Sequence, residues 1–196
     1  MHPELLSMSL FMLVTSCSPG PNNIVASYSA FNFGIIKTIP HMCGVILGFT
    51  TLVALVNFGL IKIFKMYPLI QEILKYGGSI FLIYLAYKIS FSTTKSSNTK
   101  ENPVKFIETF FFQFLNPKAV IVSIIIVSTY VDSGENFVNH SLWALAVAFI
   151  FACFSIFFWT LIGKFLRRFA TNEKFIKRFN YVMSFLLIGC IATFYL

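Results

Sequence analysis

With 196 residues, 57% hydrophobic and only 11% charged, the chain cannot coat a water-facing surface, because soluble domains carry about 25% charged residues. Mean hydropathy is +0.80, and twenty-five phenylalanines suit lipid-facing and helix-packing positions better than a compact soluble core. The net charge of +8 calls for no nucleic acid, since basic loops flanking apolar segments account for it.

Six apolar spans follow in chain order, over about residues 4–33, 40–61, 69–89, 104–131, 141–163 and 178–196. Crossing the bilayer core takes roughly 20 apolar residues. Met1-His2-Pro3-Glu4 has no basic region and no small-residue cleavage site behind it, so the first span reads as structure and not as a removable leader. Leu5–Cys17 is too short to cross alone. It is interrupted by Ser18-Pro19-Gly20-Pro21-Asn22-Asn23 and must continue beyond that break. In the second span Gly44 and Gly48 permit close helix approach inside the bundle. His41 and Asn57, near the ends of that span, read as hydrogen-bonded structural groups. Tyr84, Tyr87 and Trp143 are expected interface anchors. The fourth span is interrupted by Asn116-Pro117-Lys118, and Pro117 lies 98 residues after Pro19, half the chain length. The four cysteines, Cys17, Cys43, Cys153 and Cys190, lack paired spacing and behave as small apolar groups. No metal-ligand spacing, phosphate loop or activated nucleophile is present, so neither a cofactor nor an enzymatic reaction is expected.

The polar stretch 92–102 is a linker, and Pro103 then opens the fourth span. The chain divides into a first three-helix repeat (1–91), a linker (92–103) and a second three-helix repeat (104–196). An odd number of spans per half forces the second to enter from the opposite side. The expected fold is therefore all-α and integral to the membrane, a 3+3 inverted-topology repeat with helices 1 and 4 broken at midplane. Eleven Lys and Arg residues fall on the side that bears the linker, against Lys62, Lys65 and Lys75 on the other. By the positive-inside rule the linker is cytoplasmic and both termini are not.

Matching breaks in two halves of a membrane chain point to a binding site at the repeat interface. Proline in a helix removes a hydrogen bond and clashes one turn back; Pro19 and Pro21 do this twice, around Gly20, a residue free to take unusual dihedrals. The freed carbonyls of Thr15–Ser18 suit an ammonium, and a half-helix N-terminus beyond Pro21 suits a carboxylate. Asn22 and Asn23 either add amide groups there or merely cap the second half-helix. Lys118 is the only basic residue deep within a span; it binds a carboxylate, neutralises a half-helix end or snorkels to an interface. Ser18, Pro19, Gly20, Pro21, Asn22, Asn23, Asn116, Pro117 and Lys118 form the candidate binding set. Glu108 is the carboxylate nearest to either break and a candidate for proton coupling, though an interfacial position is favoured.

Ser18–Asn23, Asn116–Ala119, Gly77-Gly78, Tyr84–Lys88 and Trp159–Gly163 together resemble the LysE/RhtB family of amino-acid exporters over the whole chain. The family more often has Thr at the Ser18 position, a swap that keeps the hydroxyl. Around Phe112–Tyr130 and Trp159–Arg168 the chain is similar to the cysteine/O-acetylserine exporters. The resemblance implies amino-acid efflux across the inner membrane by alternating access. The expected partners are an amino-acid substrate and the lipid bilayer, with a homodimer as a further candidate. A zwitterion presents both charges that the broken helices suit. The alternatives are a transporter of another small solute and a membrane thiol-disulfide carrier. The carrier would need paired cysteines, and the counterpart of Cys17 is Leu115.

The orientation is tested by single-cysteine labelling in intact cells. A Ser97→Cys variant is expected to resist an impermeant thiol reagent until the membrane is permeabilised; labelling beforehand reverses the topology.

Overall fold

The computed structural model describes residues 4–60, 62, 66–91, 103–132, 134–170, 172–192 and 194–195. Every regular element among them is helical. Helix α1 spans Leu5–Cys17 and α2 Pro21–Phe33. Helix α3 spans Ile35–Leu55 and runs into a π-helical turn, Val56–Leu60. Then come α4, Pro68–Ser90, α5, Phe106–Leu115, and α6, Pro117–Tyr130. Helix α7 spans Phe137–Leu166 with a 3₁₀ turn at Arg167–Phe169, and α8 spans Glu173–Ala192. The linker at 92–102 lies outside the described residues.

Local chemistry sets these boundaries. Pro21, Pro68 and Pro117 open α2, α4 and α6, where the missing N–H costs nothing. Asn116 caps α6, its side-chain oxygen accepting the Lys118 backbone N–H at 3.2 Å. Asn172 does the same for Phe175 at the start of α8, at 2.8 Å. Gly34 alone joins α2 to α3, and its φ of +85° is one that L-residues rarely adopt. Helix α3 therefore begins at Ile35 rather than at Pro40, and Pro40 lies inside it. A proline there forfeits a single intrahelical bond, too little to set the start of the helix.

Three helical stretches are long and apolar enough to cross a membrane: Ile35–Leu60, Phe137–Phe169 and Glu173–Ala192. The pair α5 and α6 qualifies as a fourth, bent by 64° at its break. Helix α1, with 13 residues, is apolar but short. Large apolar side chains such as Leu142, Ile150, Phe157 and Phe185 stand exposed, as lipid-facing groups would be.

Buried apolar residues fall mainly into two clusters. One joins α1, α3, α6 and α7 through Met8, Met12, Leu52, Ile126 and Ala148. The other joins α2, α4, α5 and α8 through Ile24, Tyr28, Leu82, Phe112 and Leu187. The two parts of each interrupted segment thus pack into different clusters.

Backbones approach closely where glycine permits. A Cβ on Gly163 would lie 2.1 Å from the Ser27 carbonyl oxygen, and one on Gly78 would lie 2.1 Å from that of Leu115. Cβ atoms on Gly44 and Gly48 would each lie 2.7 Å from α5 carbonyl oxygens, those of Phe106 and Phe110. The Gly44/Gly48 pair thus packs inside the bundle, against α5. Gly163→Val should destabilise the protein by about 1–3 kcal/mol through overpacking. Gly189→Ala, whose new methyl meets nothing within 4 Å, should leave the unfolding midpoint in detergent unchanged; equal midpoints for both variants would refute the α2–α7 contact.

Candidate functional site

The end of α1 organises the site. A helix ending at Cys17 leaves its last carbonyls without helical partners, and side chains from three other helices take them up. The Lys118 ammonium, from α6, donates to Thr15 O at 3.0 Å, Ser18 O at 3.1 Å and Ser18 Oγ at 2.7 Å. The Ser18 hydroxyl donates in turn to Thr15 O at 2.8 Å. From α7, Ser155 Oγ and Trp159 Nε1 donate to Ser16 O at 3.0 and 3.1 Å. Asn23 Nδ2, from α2, donates to Ser16 O at 3.3 Å and Ser18 O at 3.1 Å. All three protons of the ammonium have an acceptor. Lys118 thus sits on the carbonyl end of a half-helix, where a cation is favoured.

Beside this cluster is a cavity of about 550 Å³, open space at its mouth included. Its polar part comprises Thr15, Ser16, Asn22, Asn23, Gln113, Asn116, Lys118 and Ser155, and its apolar part Met12, Val45, Phe49, Ala119, Val122 and Phe151. Asn22 and Gln113 form a reciprocal amide pair, with N···O distances of 2.8 and 3.2 Å. Gln113 Nε2 also donates to Thr109 O at 2.8 Å. Helix α2 begins at the cavity with Gly20 as its N-cap and no side-chain cap. Helix α6, by contrast, is capped by Asn116.

The structure brings together most of the candidate set. Gly20, Pro21, Asn22, Asn23, Asn116 and Lys118 line the cavity. Ser18 borders it through Lys118, whereas Pro19 is exposed and Pro117 lines a separate surface pocket with Leu115 and Phe194. The helix-opening prolines are Pro21 and Pro117, and Pro19 precedes the Gly20 N-cap of α2. Gly20 has φ −157° and ψ 169°, an extended conformation open to any residue. It leaves room for the lysine: a Cβ there would come within 3.1 Å of Lys118 Cδ and Nζ, and the side chain would have to shift by a few tenths of an ångström. Neither Asn22 nor Asn23 caps α2: Asn23 bonds back to the end of α1, and Asn22 pairs with Gln113 on α5. The carbonyls expected to receive an ammonium already receive that of Lys118. Glu108 lies in the first turn of α5, where Oε2 accepts the Lys105 backbone N–H at 2.9 Å, and it is not among the residues lining the cavity. Asn57 donates to Ser141 Oγ at 2.9 Å, as a structural group would. Cys17 is exposed, and none of the four cysteines forms a disulfide.

Sequence reasoning missed Gln113, Ser155 and Trp159 as parts of the site. Each stands among apolar neighbours on its helix, and only the packing of α5 and α7 against α1 and α2 shows what it meets. A periodicity signal was available for Ser155 and Trp159, which stand one turn apart and share a face.

A family model described as LysE type translocator matches residues 13–195. The cysteine/O-acetylserine efflux protein of Escherichia coli (strain K12) is 30% identical to the chain over 203 aligned residues, with 100% of both chains covered. The protein of the same name from Shigella sonnei (strain Ss046) matches at the same identity and coverage. No solved structure matches the chain. These full-length similarities settle the class: the chain belongs to the LysE type translocator family, which comprises transporters and not enzymes.

Proposed function

We propose that the chain exports a small neutral amino acid or close derivative, of the cysteine and O-acetylserine kind, across the inner membrane. The observation that carries this reading is the uncapped N-terminus of α2 beside the Lys118 ammonium in one cavity. Both features attract a carboxylate, and the amide pair Asn22–Gln113 can exchange its internal bonds for a zwitterion's polar groups. Among the described residues no Asp or Glu lines the cavity, so a second ammonium on the substrate would find no counterion among them. The apolar wall of Met12, Phe49 and Phe151 suits a short uncharged side chain. The names of the relatives support the same substrate class.

In this reading α1/α2 and α5/α6 are two broken spans of a 3+3 inverted repeat, meeting at the cavity near midplane. Movement between states has a structural basis. The α2–α7 and α3–α5 contacts rest on glycine against backbone, whereas the α1–α6 side packs through Met8, Met12 and Ile126. Methionine-rich contacts repack easily, so that side is the one that opens from the state described. Lys118 has two roles here: it closes the α1 break in every state and presents positive charge to the substrate.

Counterflow of labelled O-acetylserine and cysteine into liposomes bearing purified protein tests the reading; lack of exchange with every labelled neutral amino acid would sink it. In a cysteine-free background, Asn23→Cys and Ala119→Cys should both be protected by substrate from thiol reagents. Protection at only one would mean that the cavity is not shared by both breaks.

Lys118→Met should abolish exchange and also lower the unfolding midpoint. Hydrogen bonds to a charged group contribute about 1.5–3 kcal/mol, and the carbonyls of Thr15 and Ser18 would lose that donor. A variant as stable as the parent protein would show that the ammonium does not hold the α1 end.

A further inference from the structure

Behind the polar wall of the cavity lies a buried histidine that the binding site does not use. His41, on α3, is 1% exposed. Its Nε2 is 3.1 Å from the backbone oxygen of Asn22, and its Nδ1 is 2.9 Å from Thr109 Oγ1 on α5. The Asn22 carbonyl can only accept, so Nε2 carries a proton. The other nitrogen faces a hydroxyl that can either give or take.

Thr109 Oγ1 also lies 3.1 Å from the Lys105 carbonyl oxygen, which already accepts the Thr109 backbone N–H at 3.1 Å. Two complete hydrogen-bond arrangements follow. With a neutral ring, the Thr109 hydroxyl donates to Nδ1, and Lys105 O keeps its backbone donor. With a protonated ring, Nδ1–H donates to Thr109 Oγ1, and the hydroxyl turns to Lys105 O. One hydroxyl rotation separates the two, and neither leaves a buried polar atom unpaired.

We propose that His41 is the proton carrier that couples substrate export to proton entry. The balance is one proton: it is taken from water on the outer side onto Nδ1, giving imidazolium, and given up to cytoplasmic water after the cavity changes sides. The coupling runs through Asn22. Its carbonyl is held by His41 while its side chain lines the cavity, so a charged ring strengthens that bond and repels a substrate ammonium in the same low-dielectric region. Proton and substrate then exclude each other, which is what exchange requires. The proposal rests on the transport reading above.

Other charged or titratable groups nearby do not duplicate the role. Helix α3 itself carries Lys37 and Cys43, and α2 carries Tyr28. On α5, Glu108 is engaged by the Lys105 backbone, and Lys105 is exposed. The Lys118 ammonium of α6 is directed to the end of α1. Cys153 and Lys164 lie on α7. None of these is a hydrogen-bond partner of the ring.

Full-length protein in liposomes is assayed with labelled O-acetylserine in two ways: exchange without a gradient, and uptake driven by an acidic interior. Two pH units support about 100-fold accumulation by one-for-one exchange. The parent protein should show gradient-driven uptake, whereas His41→Gln should exchange but not accumulate. Gradient-driven accumulation by His41→Gln equal to that of the parent overturns the proposal. Should that variant fail to fold, ring ¹⁵N chemical shifts of the parent protein decide. Of three histidines, the His41 ring should gain its second proton on acidification, and saturating O-acetylserine should hold it neutral to lower pH, as reciprocal coupling demands. A His41 ring titration indifferent to O-acetylserine overturns the proposal even where exchange itself proceeds. Absence of exchange by the parent protein, with every labelled neutral amino acid, sinks the coupling together with the transport reading.

Discussion

The structure depends on one constraint: the carbonyls released where α1 stops have no helical partners and are satisfied by side chains of other helices. An unsatisfied backbone group in hydrocarbon costs several kcal/mol. Thr15, Ser16 and Ser18 meet that demand with Lys118, Asn23, Ser155 and Trp159, residues spread over α2, α6 and α7. The end of α1 therefore ties four helices together. The break is a joint, and the groups that hold it also form one side of the cavity.

The two breaks are chemically unequal. Asn116 caps α6 and so completes the second break within its own segment. Helix α2 starts at Gly20 with no such cap, and Gly20 leaves room for the Lys118 stem. One helix start is capped from within its own segment, and the other keeps helix N–H groups beside a cation. An anionic group entering the cavity meets the second kind. This inequality gives the site polarity that a symmetric repeat would lack.

Close backbone contacts give the bundle its rigid parts. At Gly163 on Ser27, and at Gly44 and Gly48 on α5, any side chain would force helices apart. These contacts fix α2 against α7 and α5 against α3, and they hold His41 between Asn22 and Thr109. Around Met8, Met12 and Ile126 the packing is by side chains alone, which can rearrange without breaking backbone contacts. A transporter needs both kinds of interface.

Much of this was legible in the residues themselves. Composition alone dictated an apolar helical bundle, since so few charges cannot clothe a soluble surface. Proline and glycine chemistry marked where α2 and α6 begin to within a residue or two, and the isolation of Lys118 marked it before any neighbour was known. What the sequence could not supply was partnership. Lys118 read equally well as a substrate ligand and as a helix-end counterion, and only the arrival of Thr15 and Ser18 at its ammonium, 103 and 100 residues away, places it on the helix end. Gly20 read as a conformational hinge, yet its backbone is ordinary and its smallness serves Lys118. His41 read as a hydrogen-bonded structural group, as it is, but its partner Thr109 lies 68 residues on. Hydropathy and helix breaks are local properties, fixed by each residue's own chemistry. The site is made by which lone polar residue meets which across helices of similar apolar surface, and that only tertiary packing decides.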